Sequence, residues 1–343
     1  MLRDCPLRRT LVDKPESCAH RWLARLAGNT GVYQEACMIQ KEIQILGHRH
    51  TICGDPDYLG RMGETFETHT TDLLAALCPR GGSAIDIGAN IGMTSLALAQ
   101  LCDAGSVLAV EPVQSTYALL KCNLETAGAQ NVTPINVALG ADEGSVSMYV
   151  DERNLATAFV VDIGTGYEIP LTSLDRLVEQ QTLTRLDFIK IDVEGCELEV
   201  LQGARTTLAR FQPLVMLEMN HWCLNIFRRI SLPEFRERLL ELFPCVYAVD
   251  AQGWLDFSDP LNAGRIYHAH VFENRYMNLV AGFERDQLLA RLACLPPPTA
   301  EPSAPQAVSE LTNAEERLQA VLASTSWKLT APLRHLGQWL RRN

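Results

Sequence analysis

Apolar and polar positions form two alternating kinds of segment through the middle of the chain. Short, unbroken apolar runs predict buried strands, and each is followed by a stretch in which apolar residues recur with helical spacing. Strands that alternate with helices favour an α/β fold with a mostly parallel, doubly wound sheet, whose ligands bind at the carboxyl ends of the strands. The predicted strands cover residues 83–87, 106–110, 131–139, 186–191 and 213–217.

The first of these strands turns sharply into a helix. Asp86 ends the apolar run, and Gly88 and Gly92 follow it. Glycine lets the backbone bend and lets a ligand lie close to it. The spacing is G-x-x-x-G rather than the G-x-G-x-x-G of dinucleotide sites, and a carboxylate at Asp86 would repel phosphate. The turn therefore favours a cationic or hydroxyl-bearing ligand such as S-adenosylmethionine, which has an ammonium group, a sulfonium and ribose hydroxyls.

Acidic residues end four of the predicted strands: Asp86, Glu111, Asp192 and Glu218. Any one of them could be a helix cap or a solvated turn residue, but four at successive strand ends indicate a shared pocket. Glu111 comes one strand-helix-strand unit after Asp86, where such folds place an acid on a ribose hydroxyl pair.

Five motifs occur together along the chain: Asp86–Gly92, Glu111-Pro112, Asn136–Gly140, Leu171–Asp175 and Ile189–Gly195. In this order they resemble the FkbM-type S-adenosylmethionine-dependent methyltransferases, a class I Rossmann-like group, over residues 64–222. The resemblance implies a seven-stranded sheet that ends in an antiparallel hairpin, which we assign to residues 246–249 and 269–272.

The resemblance also implies a cofactor site. The first motif, Asp86–Gly92, would line the methionine and ribose end of the cofactor. Glu111 would hold the ribose hydroxyls, and the adenine would lie near the third motif, Asn136–Gly140. The implied cofactor-binding residues are Asp86, Gly88, Asn90, Gly92, Glu111, Asn136, Ala138 and Asp192.

Characterised relatives methylate hydroxyl groups, so the resemblance implies a hydroxyl acceptor, in a glycan or a small molecule. A hydroxyl acceptor needs a general base near the methyl group. The candidates are Asp192, Glu194, Glu218 and His221, and we favour His221 or Asp192. His221 could equally be a packed or exposed loop histidine, and Lys190 could merely neutralise the carboxylates.

Composition excludes several other functions. The formal net charge is -11 and no basic stripe with interleaved aromatics is present, which argues against nucleic-acid binding. None of the eleven cysteines forms a C-x-x-C or zinc-finger spacing, so we expect reduced thiols in a cytoplasmic protein. We predict two strand histidines, His268 and His270, but without a third ligand no metal site is expected.

The pattern divides the chain into four parts. We predict an N-terminal extension with a small hairpin over residues 1–63, the methyltransferase domain over 64–285, a Pro-rich linker over 286–306 and an amphipathic helical tail over 307–343. The predicted hairpin strands are Ala36–Gln40 and Ile43–Leu46.

The tail carries candidate interactions of its own. Its last residues combine basic side chains with Trp327 and Trp339, which suits peripheral contact with the inner face of an anionic membrane. Docking on the protein or a partner is an equal alternative, and a short heptad pattern over residues 311–321 leaves a homodimer open. The tail also resembles a segment of bacterial enzymes that build surface polysaccharides.

Three functional hypotheses follow. The favoured one is an O-methyltransferase acting on a sugar of a bacterial surface polysaccharide or lipopolysaccharide intermediate. The second has the same cofactor and a small secondary metabolite as acceptor. The third is an interaction protein whose methyltransferase fold is catalytically idle. A nicotinamide-dependent enzyme is disfavoured by the glycine spacing.

Overall fold

The computed structural model describes residues 38–150, 158–160 and 167–295. The strands are β1 (Ile39–Ile45), β2 (His48–Gly54), β3 (Ala84–Ile87), β4 (Val107–Val110), β5 (Val132–Ile135), β6 (Ala138–Leu139), β7 (Gly144–Val150), β8 (Ala158–Val160), β9 (Tyr167–Thr172), β10 (Phe188–Ile191), β11 (Leu214–Glu218), β12 (Cys245–Asp250), β13 (Gly253–Asp256) and β14 (Asn278–Gly282). The helices are α1 (Pro56–Arg61), α2 (Thr68–Leu77), α3 (Met93–Leu101), α4 (Gln114–Ala127), α5 (Leu174–Gln180), α6 (Glu197–Gln202), α7 (Arg205–Phe211), the single turn α8 (His221–Cys223), α9 (Leu232–Leu242), α10 (Pro260–Glu273) and α11 (Arg285–Leu292). A π-helical turn, Leu224–Arg228, continues α8.

Eight strands form the central sheet, in the order β13-β12-β14-β11-β10-β3-β4-β5. The strands from β11 to β5 run parallel to one another. Every residue of β3, β4 and β10 is buried, as expected for strands that are covered on both faces. The predicted α/β class and the mostly parallel, doubly wound sheet are confirmed.

The antiparallel edge of the sheet differs from the prediction. β14 lies between β11 and β12 and runs antiparallel to both. The segment 269–272, predicted as a strand, lies instead within α10. Asp259 caps this helix, Pro260 occupies its first turn, and the buried Ala263, Ile266 and Ala269 recur at helical spacing. The predicted hairpin partner of β12 was therefore wrong, and β13 adds an eighth strand.

The N-terminal hairpin is present with different strand limits. Its two strands are joined at Leu46 and Gly47, both of which have positive φ angles, 47° and 83°. Ile43 and Ile45 alternate with polar residues and are buried. The run 43–46, predicted as a second strand, is thus the end of the first, because the turn follows it.

A buried asparagine attaches this hairpin to the main domain. Asn123, on α4, accepts a hydrogen bond from Cys53 N at 2.8 Å and donates to Cys53 O at 3.0 Å and Ile91 O at 2.8 Å. Its side chain is fully buried. The hairpin and the loop after β3 are therefore held by one side chain.

A second sheet, in the order β6-β9-β7-β8, flanks the carboxyl end of β5. The helical segment after β10 is divided into α6 and α7, with Gly203 ending α6. A Cβ at Gly203 would lie 2.0 Å from the carbonyl oxygen of Gly140. The break lets the helical layer approach the second sheet. Within the described ranges, no helix combines the length and apolar character needed to cross a membrane.

Candidate active site

A cavity of about 610 Å³ opens at the carboxyl ends of the five parallel strands. Its floor is formed by the residues that end or directly follow β3, β4, β5, β10 and β11. The remaining wall comes from the N-terminal segment, the second sheet, α6, the π-helical turn and the start of β14. The wall residues used below are Tyr58, Phe66, Glu67, Thr70, Asp142, Glu199, Arg228 and Asn278.

The turn after β3 brings two backbone segments together. Gly88 has φ 77°, and a Cβ there would lie 1.8 Å from the carbonyl oxygen of Asp192. Only glycine fits where the loops after β3 and β10 meet. Gly88, Ala89 and Asn90 line the cavity, so this part of the predicted cofactor loop lies where it was expected.

Glu111 lies at the end of β4 with its carboxylate in the cavity wall. Its Oε2 accepts a hydrogen bond from Asn90 N and its Oε1 from Val113 N, each at 3.0 Å. Burial raises the pKa of Glu111 to about 7, against the lowering effect of these two N–H donors. Each oxygen keeps a lone pair, so the carboxylate can accept hydrogen bonds from a pair of hydroxyls.

Asp86 does not line the cavity, contrary to the prediction. Its side chain is fully buried beneath the floor. Asp86 Oδ2 accepts hydrogen bonds from Thr94 Oγ1 at 2.7 Å and Ser95 Oγ at 2.6 Å, and Oδ1 lies 3.6 Å from Lys190 Nζ. Asp86 thus fixes the start of α3 and the ammonium group of Lys190 rather than a ligand.

Two further predicted residues lie behind the wall. Gly92 has φ 101° at the start of α3, and a Cβ there would lie 2.9 Å from Leu120 Cδ1. Asn136 donates hydrogen bonds to Glu111 O at 2.9 Å and Pro112 O at 2.8 Å. Neither residue lines the cavity, whereas Ala138 does. Gly92 and Asn136 therefore shape the loops that carry the lining residues.

Lys190 joins two of the strand ends. Its Nζ lies 3.2 Å from Asp192 Oδ2 and donates a hydrogen bond to Gly88 O at 3.1 Å. Burial alone would lower the pKa of Lys190, but the Asp192 and Asp86 carboxylates outweigh burial and raise it. Lys190 is therefore a buried cation that faces the cavity between two carboxylates.

Three carboxylates line the cavity where β10 and β11 end. We call them the acidic end: Asp192, Glu194 and Glu218. Glu194 has φ 52°, and its Oε2 accepts hydrogen bonds from Cys223 Sγ at 3.1 Å and Asn220 Nδ2 at 3.4 Å. Burial raises the pKa of Glu194. These residues meet in one place, as predicted from the strand ends.

Glu218 has the least compensated carboxyl group of the three. Its Oε2 is buried and has no hydrogen-bond partner among the described residues. Burial, followed by the charges of Asp192, Glu194 and Glu197, raises the pKa of Glu218 to about 9, with Lys190 opposing. Burial and the neighbouring carboxylates thus favour the protonated form of Glu218 in the free protein.

His221 does not reach the cavity. Its ring stacks edge-on against the buried ring of His270, with ring centroids 4.9 Å apart, and lies 5.2 Å from Trp222. Burial lowers the pKa of His221. His221 packs behind the acidic end, which removes it from the candidate bases. His268 is exposed on α10, and no metal-binding group was found in the part of the chain that the structure describes.

Several lining residues were not predicted from the sequence. Tyr58, Phe66, Glu67 and Thr70 come from the segment before the first motif. Burial, together with the charges of Glu67 and Asp192, raises the pKa of Tyr58 to about 12. Apolar residues recur at helical spacing over residues 66–77, which is a signal for a packed helix before the first motif, but nothing in the pattern singles out Tyr58.

An ion pair from α6 and the π-helical turn was also missed. The Arg228 guanidinium donates to Glu199 Oε1 from Nη2, and from Nε at 2.9 Å. Both residues line the cavity. The π-helical turn has no spacing signature in the sequence, and such turns often occur at functional sites.

The residues present fit S-adenosylmethionine. Glu111 offers two acceptor oxygens for ribose hydroxyls, and Gly88, Ala89 and Asn90 line the cavity beside it. The buried, unpartnered oxygen of Glu218 suits a cation. Ala138 lines the cavity beyond Glu111, where an adenine would lie. The fold and site define a class I type of methyltransferase architecture.

Comparison with known protein families agrees with this methyltransferase architecture. Residues 86–248 match the model of the methyltransferase FkbM domain. This match agrees with the FkbM-type resemblance that the motifs indicated.

Characterised relatives share part of this region. The chain is 32% identical over 124 residues to the hexuronic acid methyltransferase AglP of Haloferax volcanii. This match covers 36% of this chain and 50% of that protein. It is 26% identical to Methyltransferase 1 of Beauveria bassiana, over 36% of this chain and 59% of the relative. It is 28% identical to methyltransferase sdnD of Sordaria araneosa, over 41% and 66%. The matches thus span about half to two thirds of each relative.

The solved structures to which the chain is similar in part include the FkbM methyltransferase of Methylobacillus flagellatus, at 20% identity and a TM-score of 0.35, covering 48% of this chain and 38% of that one. Another is an O-methyltransferase of Bacillus cereus in complex with S-adenosylhomocysteine, at 16% identity and a TM-score of 0.36, covering 63% and 79%.

Proposed function

We propose that the chain is an S-adenosylmethionine-dependent O-methyltransferase whose acceptor is a sugar hydroxyl of a surface polysaccharide or lipopolysaccharide intermediate. The observation that carries the proposal is the cavity at the strand ends, with Glu111 on one side and the acidic end on the other. The sugar acceptor is supported by the similarity to a hexuronic acid methyltransferase.

The bound cofactor would supply an activated methyl group on a sulfonium. Glu111 would accept hydrogen bonds from the ribose hydroxyls, and the backbone around Gly88 would hold the methionine part. The cavity walls would align the acceptor oxygen with the methyl carbon, since such alignment removes much of the entropic barrier.

Asp192 is the proposed general base. Its carboxylate lies in the cavity, and its side chain is 42% exposed, so an acceptor can reach it. Glu218 would first have to lose its own proton. Asp192→Asn should lower kcat on the order of a hundredfold while the Kd for S-adenosylhomocysteine changes little, because the amide keeps the shape and cannot take a proton. An unchanged kcat would remove Asp192 from this role.

The cofactor is tested first. In calorimetric titrations of the full chain with S-adenosylhomocysteine and, separately, NAD, we expect saturable binding of the first alone. Binding of NAD instead would overturn the methyltransferase proposal, and binding of neither would favour the idle-fold alternative.

The acceptor is tested with methyl-labelled S-adenosylmethionine and oligosaccharides that end in a hexuronic acid. The matched control is the same oligosaccharide with every hydroxyl already methylated. Label in the first alone supports a sugar hydroxyl acceptor. If S-adenosylhomocysteine binds and no oligosaccharide is labelled, the sugar proposal fails, and a small-metabolite acceptor is the next candidate.

The partner predictions concern the tail, residues 307–343, which lies outside the described residues. Peripheral membrane contact and a homodimer through this tail remain predictions. The predicted start of the linker, residue 286, differs from the structure, in which α11 occupies Arg285–Leu292 and buries Leu288 and Leu292. A cytoplasmic location is likewise part of the proposal.

A further inference from the structure

The cavity carries more negative than positive side chains. Its lining includes seven carboxylates and two cations. Arg228 is paired with Glu199, and Lys190 with Asp192. The carboxylates in the lining are Glu67, Glu111, Asp142, Asp192, Glu194, Glu199 and Glu218.

Glu218 differs from the other acidic-end residues in its partners. Asp192 has the Lys190 ammonium, and Glu194 accepts hydrogen bonds from Cys223 and Asn220. Glu218 Oε2 is buried with no hydrogen-bond partner in the described ranges. A charged carboxylate with a buried oxygen that has no hydrogen-bond partner is unfavourable, so the group favours either a proton or a nearby cation.

The groups that face Glu218 supply one cation, Lys190, which already lies between the carboxylates of Asp86 and Asp192. On β14, the residue paired with Glu218 is Asn278, which is uncharged. The charged groups around it come from β10, the loop after β10 and α6, and only one is positive. They are Lys190, Asp192, Glu194 and Glu197.

The order of the strands places the donor's charge near this group. An adenine at Ala138, beyond β5, and a ribose at Glu111, on β4, leave the sulfonium and ammonium groups to lie toward β3 and β10. β11, with Glu218, is the next strand, and neighbouring strands are about 4.8 Å apart. The product, S-adenosylhomocysteine, lacks the sulfonium charge.

We propose that Glu218 selects the cationic donor over the neutral product: it holds a proton in the free protein and releases it to solvent when S-adenosylmethionine binds. This inference rests on the proposed function, since it assumes that the cavity takes this cofactor. The released proton leaves a carboxylate that stabilises the donor's positive charge. After transfer the product has lost that charge, so Glu218 takes up a proton again and the product is held less tightly.

The pKa of Glu218, raised to about 9, gives the size of the effect. An opposite charge nearby lowers the pKa of a carboxyl group by about 1–3 units. At pH 7.5 the donor would then release roughly half a proton from Glu218. Burial raises the pKa of Glu111 to about 7, so Glu111 could also release protons when a ligand binds. It would face the ribose of donor and product alike, and its contribution to proton release would be the same for both ligands.

The test is calorimetry of the full chain with S-adenosylmethionine and with S-adenosylhomocysteine, in buffers of different ionisation enthalpy. The slope of heat against ionisation enthalpy counts the protons released. We expect the donor to release roughly half a proton more than the product, and Glu218→Gln to abolish most of this difference. The comparison of variants cancels the titration of the ligands' own amino groups. Asp142→Asn, which removes a charge from the turn between β6 and β7 in the same cavity, should keep the difference.

The outcomes separate the two proposals. If neither ligand binds, the proposed function fails. If both bind and the difference is the same in the unsubstituted chain and in the Glu218→Gln variant, the function stands and the role of Glu218 is wrong. A measurement on the unsubstituted chain serves if Glu218→Gln does not fold: infrared difference spectra should lose a protonated carboxyl band with the donor and retain it with the product. Retention with both ligands would also overturn the inference.

Discussion

Glu111 and Asp86 end neighbouring parallel strands, and their carboxylates have different partners. Glu111 accepts two backbone hydrogen bonds and faces the cavity. Asp86 accepts two hydroxyl hydrogen bonds beneath the floor and faces Lys190. Loss of the first should therefore affect ligand binding, and loss of the second should affect the fold.

Glu111→Ala should weaken binding of S-adenosylhomocysteine by about a hundredfold or more. The variant loses charge-assisted hydrogen bonds to two ribose hydroxyls, each worth about 1.5–3 kcal/mol, and a tenfold change in Kd is about 1.4 kcal/mol. Calorimetric titration measures the Kd. A Kd equal to that of the unsubstituted protein would remove Glu111 from the cofactor site.

Asp86→Ala should lower the free energy of unfolding by about 3 kcal/mol. It leaves the hydroxyls of Thr94 and Ser95 without their acceptor and removes one carboxylate from the buried Lys190. Urea unfolding measures the loss. Asp103→Ala, at an exposed position, should change stability by no more than about 0.5 kcal/mol. An equally small effect of Asp86→Ala would contradict its buried role.

At the scale of elements, the cavity is completed by parts that lie before and after the matched family region. α1 and α2 supply Tyr58 and Thr70 to the wall, and the start of β14 supplies Asn278. The side chain of Lys41 on β1 donates hydrogen bonds to Leu59 O at 3.0 Å and to Met62 O, which holds the end of α1. The hairpin thus supports the cavity wall.

Asn123→Ala should destabilise the protein by about 3 kcal/mol. Three backbone groups, Cys53 N, Cys53 O and Ile91 O, lose their partner, and each buried unpaired group costs about 1–3 kcal/mol before relaxation. Hydrogen exchange should show the largest loss of protection in β2. Asn225→Ala, which removes an exposed amide bound to His221 O, is the control and should have little effect.

Much of this element level was readable from the sequence. The strand ends, the turn after β3 and the cap of α5 at Ser173 follow local rules of periodicity, glycine and capping. The helix α10 was mistaken for a strand because residues 269–272 have strand-like alternation, and its cap and proline lie ten residues earlier. The positions of Asp86 and His221 depend on side-chain direction in the packed structure, which spacing along the chain does not determine.

At the scale of the whole molecule, the net charge is -11, and some of the acidic side chains are buried in the fold. Burial raises the pKa of Glu111 and Glu197 to about 7 and that of Glu218 to about 9. The folded protein therefore holds protons that the unfolded chain has already lost. Stability should fall as pH rises through this range.

Between pH 7 and pH 8.5 this loss should come mainly from Glu218. The pKa of Glu218 is higher in the folded protein than in the unfolded chain. The loss of folding stability that Glu218 causes is therefore absent below the unfolded pKa and grows until the pH passes the folded pKa. The Tm of the free protein should fall by about 3 °C or more across this interval. Thermal unfolding of Glu218→Gln should show a flatter dependence on pH, whereas a parallel dependence would refute the assignment.

The place of β14 in the sheet has a consequence for synthesis on the ribosome. This strand is the last of the sheet to be made, yet it lies in the interior, between β11 and β12. Until residue 282 is available, a growing chain has two unpaired strand edges at that position, and the wall that Asn278 contributes is missing. The cavity can therefore be completed only late in translation, and the nascent chain has those unpaired strand edges until β14 has left the ribosome.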